Sequence, residues 1–187
     1  MNTIIVAEFC KKIKPCKEWQ EFVLLHPTMA DAWGNCPSAD WMLWVLEILK
    51  IQIEPKAFRL FAVWCARNTP LPDGRKTGEL IKDPRSLAAL EIAERYALGR
   101  ATIQELNEGI DAARAAASAA LGAAVWDATW AGELLAARAA AGAAAAAGAW
   151  AAAEVAAEVA LGTAARAAQA DQLRKMIPNP FAQKGTK

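Results

Sequence analysis

The chain has 187 residues, 55% of them apolar, with 21 Lys+Arg against 20 Asp+Glu and a formal net charge of +1. That is enough apolar material for a sizeable core, which excludes ordinary disorder. The near balance of charge, +2 over residues 1–100 and −1 over the rest, argues against a nucleic-acid polymer as partner, because such binders concentrate positive charge.

The opening Met1-Asn2-Thr3-Ile4-Ile5-Val6-Ala7-Glu8 has no basic stretch and only four apolar residues before an acid, so no secretory signal is expected and the expected compartment is cytoplasmic. In that compartment Cys10, Cys16, Cys36 and Cys65 are expected as reduced thiols.

The first hundred residues read as short helices punctuated by proline. Trp19, Phe22 and Val23 share one face of a segment that starts after Pro15 and stops at Pro27. Thr28-Met29-Ala30-Asp31 fits a capping box for a brief turn ending at Gly34, and Ser38 stands as the cap of Ala39–Leu49, apolar nearly all round and so expected as a buried central helix. Another helix is predicted from near Pro55 to Arg67, with Arg59 and Arg67 on roughly one face. Residues 69–83 carry the turn formers of a long loop, within which Gly74–Gly78 reads as flexible and basic. Asp83 with Pro84 and then Gly99 bracket a helix of about four turns.

Thr102-Ile103-Gln104-Glu105 is a second capping box, and Ile103, Leu106, Ile110, Ala113 and Ala117 form a seam spaced by three and four. Residues 111–170 hold 33 Ala in 60 with no Pro and no Asn, a composition suited to helix alone. The longest charge-free stretch there, Ala139–Ala153, is 15 residues, short of the roughly 20 that cross a bilayer, so no membrane span is expected. Unbroken helix from Thr102 to Met176 would run about 112 Å at ~1.5 Å per residue, so turns are expected near Gly122 and at Gly142 to Gly148. Alanine buries little area, so these helices can support one another only by close backbone approach. Trp126, Trp130, Leu134, Leu135 and Trp150 are expected to tie this layer to the first half, with Glu154 and Glu158 on a solvated face. Pro178 and Pro180 end the last helix and leave an extended tail, in which Phe181 is expected to tuck against the body. The expected architecture is all-α: a Trp-rich short-helix half (1–100) packed with an Ala-rich long-helix half (101–177), and a tail (178–187).

The residues assemble no complete catalytic or cofactor constellation. His26 is the single histidine, no Gly-x-Ser-x-Gly occurs, and Cys10 and Cys16 are six apart with no Cys-x-x-Cys, so neither a nucleophile dyad nor zinc is expected. The carboxylate pairs Glu91/Glu94, Glu105/Glu108 and Glu154/Glu158 sit where helices need solvated faces. Gly74-Arg75-Lys76-Thr77-Gly78 lacks the order of a phosphate-cradling loop. The Ala-rich region has only Thr129 and Thr163, not the threonine ladder of an ice-binding helix. What stands out is eight tryptophans to one tyrosine, with Trp33, Trp41, Trp44 and Trp64 in the same half as several arginines. Such residues suit a protein hot spot or stacking on a base with phosphate contacts. Trp41, Trp44 and Trp64 are expected in the core and Trp33 at the surface. The candidate binding residues are therefore Trp33, Arg59, Arg67, Arg75 and Arg95, with no catalytic, cofactor or metal residues.

Four stretches together carry a resemblance: Cys36-Pro37-Ser38-Ala39-Asp40-Trp41-Met42-Leu43-Trp44, Phe58–Arg67, Leu90–Thr102, and an Ala-rich helical tail ending Leu173–Phe181. Over roughly residues 30–181 the chain resembles a bacterial and phage family of immunity proteins of polymorphic-toxin systems, the fifth such class, and related alanine-rich planctomycete proteins. The resemblance implies an all-helical, non-enzymatic cytoplasmic protein that binds and blocks a toxin or a host defence factor, and it offers no catalytic residues to carry over. The alternative is a phage-encoded sponge that holds a nucleotide immune signal between helices or subunits, its base on Trp and its phosphates on Arg59, Arg67 or Arg95. A homo-oligomer is expected, since thin Ala layers bury limited area within one chain.

Overall fold

The computed structural model describes residues 15–124 and 163–182, together with Val6, Cys10 and Ile13. The fold is all-α. Among the described residues it comprises α1 (Lys17–Leu24), α2 (Met29–Asn35), α3 (Ala39–Ile48), α4 (Pro55–Asn68), a 3-10 turn (Thr77–Leu80), α5 (Pro84–Ala97), α6 (Ile103–Ala124) and α7 (Thr163–Met176). No helix among these residues is long and apolar enough to cross a membrane.

Local signals set most of the boundaries. The Thr28 hydroxyl accepts from the Asp31 amide at 3.1 Å, and Thr102 makes the fully reciprocal box, its Oγ1 accepting from the Glu105 amide while Glu105 accepts from the Thr102 amide at 2.7 Å. Asp83 caps α5 through the Arg85 amide at 2.8 Å, just before Pro84. Ser38 occupies the N-cap of α3, but its hydroxyl turns to Asp40 Oδ2 instead of an amide of the first turn.

Helices α3 and α5 end in the same motif with different residues. At the end of α5, Gly99 takes a φ of +70° while Arg100 donates back to the Arg95 carbonyl. At the end of α3 the left-handed position is filled by Lys50, at φ 51°, while Ile51 donates back to the Leu46 carbonyl. A side chain there is strained, and Lys50 is exposed. Lys50→Gly should therefore raise stability by about 0.5–1 kcal/mol, read as a rise in the urea midpoint at unchanged slope.

Three clusters make the core. The first joins α4, α5 and α6 through Ala62, Val63, Ala66, Ala89, Leu90, Ala93, Leu106 and Ala113. Here the small residues bring the backbones together: a Cβ added at Gly109 would lie 3.2 Å from Ile92 Cδ1 and 3.6 Å from Ala89 Cα. The second joins α3 and α4 to α7, with Met42, Leu46, Phe61 and Cys65 against Ala170, Leu173 and Ile177. The third gathers Val6, Cys10, Trp19, Val23, Met29, Ala32 and Val45 around α1 to α3. Helix α7, entering from the far end of the Ala-rich region, thus completes a core that the first half begins.

Three expectations change. The loop 69–83 is anchored on either side of the exposed Gly74–Lys76: Thr69 and Thr77 are fully buried, both hydroxyls donate to the Cys65 carbonyl at 2.8 and 3.0 Å, and Gln169 of α7 donates to Thr69 Oγ1 at 3.0 Å. The α6 seam begins at Leu106, which is buried, while Ile103 is 57% exposed. Helix α6 contains Gly122 and is described as far as Ala124, so the expected turn near Gly122 falls beyond the described residues. The tail is docked over Pro178–Ala182, where Asn179 Nδ2 donates to the Ala30 carbonyl at 3.0 Å and Phe181 packs on Trp33 as expected. The expectations for Gly142 to Gly148, for Trp126, Trp130, Leu134, Leu135 and Trp150, and for Glu154 with Glu158 fall outside the described residues.

Candidate functional site

Of the five candidate residues, the structure brings three to the C-terminal half of α5. Arg59 and Arg67, eight residues apart on α4, both reach across to this helix. Arg59 lays its guanidinium over the Tyr96 ring, 4.6 Å from the centroid. Arg67 pairs with Glu94, both partly buried. Glu94 and Tyr96 lie about 200° apart around the helix at ~100° per residue, so the two arginines grip α5 from opposite flanks. Arg95, between them in sequence, points outward, pairs with Glu105 at 3.0 Å and donates to the Arg100 carbonyl at 3.2 Å. The exposed Ile103 stands beside this α5–α6 corner.

The electrostatics of the corner follow from these contacts. The Thr102 amide and hydroxyl, and then Arg95, hold the Glu105 carboxyl below its ordinary range. That stabilisation is present above the usual carboxylate range and is lost as the pH falls through the lowered value, when the cap loses its charge. Arg59 Nε is buried and makes no hydrogen bond, which leaves the ring contact as its principal described interaction.

The other two candidates lie elsewhere. Arg75 is exposed on the loop and is occupied by Asp73, two residues away, at 2.6 Å. Trp33, expected at the surface, is only 4% exposed. It is covered by Phe181, with ring centroids 6.0 Å apart, and its carbonyl accepts from Arg174 of α7. Conversely Trp41, Trp44 and Trp64, expected in the core, are half-buried at its edge. A helix as short as α2 has no periodicity that reports what covers it, and here the cover comes from the other end of the chain.

The groups considered for chemistry are otherwise engaged. His26 donates Nδ1–H to the Phe22 carbonyl at 3.0 Å and rests on the Phe22 ring, centroids 4.6 Å apart. All four cysteines are free thiols, with Cys16 alone exposed. Burial pushes the Cys36 thiol up to about 11, and burial followed by the nearby Asp40 pushes Cys65 well above its ordinary 9.0. A thiol-specific reagent at pH 8 should therefore titrate one fast equivalent, removed by Cys16→Ser, and the other thiols only as the protein unfolds. Because the native Cys36 thiol ionises later than the unfolded one, its stabilising contribution is complete below about pH 9 and fades as the pH rises towards 11. Cys36→Ala should flatten that alkaline decline.

Sequence reading did not single out Tyr96 and placed Glu94 and Glu105 on solvated faces, whereas these three residues give the arginines their setting. The available signals were that Tyr96 is the single tyrosine, set three residues before the helix-ending Gly99, and that Glu105 closes a capping box. Comparison with models of known families, with curated proteins and with solved structures found no match.

Proposed function

We propose that this is a non-enzymatic cytoplasmic binding protein that sequesters a protein partner in the manner of a toxin-immunity inhibitor, using the corner where α4, α5 and α6 meet. The observation that carries the reading is the juxtaposition within one turn of α5 of Arg67–Glu94, Arg95–Glu105 and Arg59 on Tyr96, beside the exposed Ile103. Arginine, tyrosine and an apolar residue at the join of several elements have the composition of an interface hot spot. Both signs of charge are present, held in half-desolvated pairs that a partner's own charges can exchange with at little cost in reorganisation. This mixture favours a protein surface over a polyanionic nucleotide, because Glu94 and Glu105 already neutralise two of the cations.

Protection in cells tests this. Co-expressed with a toxic product of an adjacent gene, the wild-type chain should restore growth, while Arg95→Glu and Arg59→Ala, with helix content unchanged, should lose protection. A thermal shift with cyclic or ADP-ribose-type nucleotides that vanishes in Arg59→Ala, without any effect of either substitution on protection, would favour the nucleotide sponge instead.

A further inference from the structure

Arg100, in the turn between α5 and α6, is a cation of the corner that the sequence reading did not single out. Arg67 is balanced by Glu94 and Arg95 by Glu105, whereas Arg100 is exposed and its guanidinium meets no partner among the described residues. Arg95 is committed through one nitrogen: Nη2 donates both to Glu105 Oε1 and to the Arg100 carbonyl, which leaves Nε and Nη1 without an acceptor among the described residues. The next apolar side chain along the chain, Ile103, is 57% exposed.

Both cations are mounted on a fixed turn. The Arg100 amide donates to the Arg95 carbonyl at 2.7 Å, closing the helix end at which Gly99 takes a φ of +70°, and the Arg100 carbonyl accepts from Arg95 Nη2 at 3.2 Å. Arg95 is held in turn by Glu105, whose Oε1 takes the arginine at 3.0 Å while its Oε2 accepts from the Thr102 amide and hydroxyl at 2.7 and 2.9 Å. Binding a side chain that projects from an ordered backbone costs less entropy than first settling a loop. Glu91 lies one turn before Arg95 and Glu108 about one turn beyond Glu105, each back along its own helix from the turn, and Glu108 already accepts from Gln104 at 3.0 Å. The turn therefore carries uncompensated positive charge beside an exposed aliphatic group.

Resting on the reading that this corner binds a protein, we propose that its partner brings an acidic side chain next to an aliphatic one. The carboxylate accepts from Arg100 and from the unpartnered nitrogens of Arg95, and the aliphatic group covers Ile103. The paired arginines already have their acids, so the complement that is missing is the one opposite Arg100.

The probe is a phage-displayed library of random short peptides, selected on the full-length chain and depleted on Arg100→Glu. Enriched sequences should carry Asp or Glu next to Leu, Ile or Val. A synthetic copy, dye-labelled and followed by fluorescence anisotropy, should bind Arg100→Gln about tenfold more weakly than wild type, and replacing the peptide's acid by its amide should lose the same factor without adding to the first. Arg100→Lys, which keeps an exposed point charge, should stay within about twofold of wild type. No enrichment, enriched peptides without an acid, or two losses that add instead of overlapping would each overturn the proposal. The reading of the corner as a protein interface is judged separately: it fails if Arg95→Glu and Arg59→Ala both leave binding of the adjacent gene's product unchanged, whatever the peptides show.

Discussion

Gly78→Ala should destabilise the protein by about 3 kcal/mol, the upper end of what overpacking usually costs, although it adds a single methyl. The reason lies in the backbone. A Cβ at this position would stand 2.7 Å from the carbonyl oxygen of Arg67, 3.1 Å from its Cα and 3.3 Å from its carbonyl carbon, atoms of helix α4 that cannot rotate away. To admit the methyl, the 3-10 turn must lift from α4. That motion pulls on the neighbouring Thr77, whose hydroxyl and amide are both bonded inside, to the carbonyls of Cys65 and Thr69. Leaving such groups unmade adds to the steric penalty. At roughly 2–4 °C per kcal/mol for a chain of this size, the melting temperature should fall by about 6–12 °C. Gly34 is the control: it lies in α2 at a helical φ with open space around its Cβ position, so Gly34→Ala should leave the melt unchanged or raise it slightly.

A comparable loss is expected at a residue from the other end of the chain. Leu173→Ala should cost about 3 kcal/mol, within the range for buried leucines. Leu173 is fully buried in the cluster that joins α7 to α3 and α4, among Met42, Phe61, Cys65 and Ile177. Alanine dominates the segment leading to α7 and buries little surface, so this leucine and Ile177 carry much of the apolar area that holds the helix in place. Displacing α7 also frees Arg174, which donates to the carbonyls of Trp33 and Cys36 and so caps the end of α2. Urea unfolding followed by tryptophan fluorescence measures the effect, because Trp33 lies directly beneath. If the loss is under 1 kcal/mol, α7 is not part of the cooperative core.

The extent to which the fold was legible in the sequence follows the range of each interaction. Thr28, Asp83, Gly99 and Thr102 act on backbone groups within a few residues, and they mark real helix ends. The order of the loop 69–83 was not legible, because its turn formers are the same whether or not Gln169, a hundred residues later, bonds to Thr69. Trp33 was misread for the same reason: it is buried by Phe181 and held by Arg174. Ile103 fits the period of the α6 seam yet is 57% exposed, and periodicity cannot show which positions of a face a neighbour covers. At the candidate site the arginines were legible as residue types, while their partners were not. Arg67 meets Glu94 across 27 residues, and Arg59 meets Tyr96 only because α4 and α5 cross.

Calorimetric titration of the purified chain into the protein encoded beside it measures recognition without relying on a phenotype. The expected isotherm closes at a fixed whole-number stoichiometry with no chemical change in either protein, and Arg95→Glu weakens binding at least tenfold while helix content stays the same. Continued heat from turnover of a substrate, or an affinity untouched by both Arg95→Glu and Arg59→Ala, would contradict binding through the α5 corner.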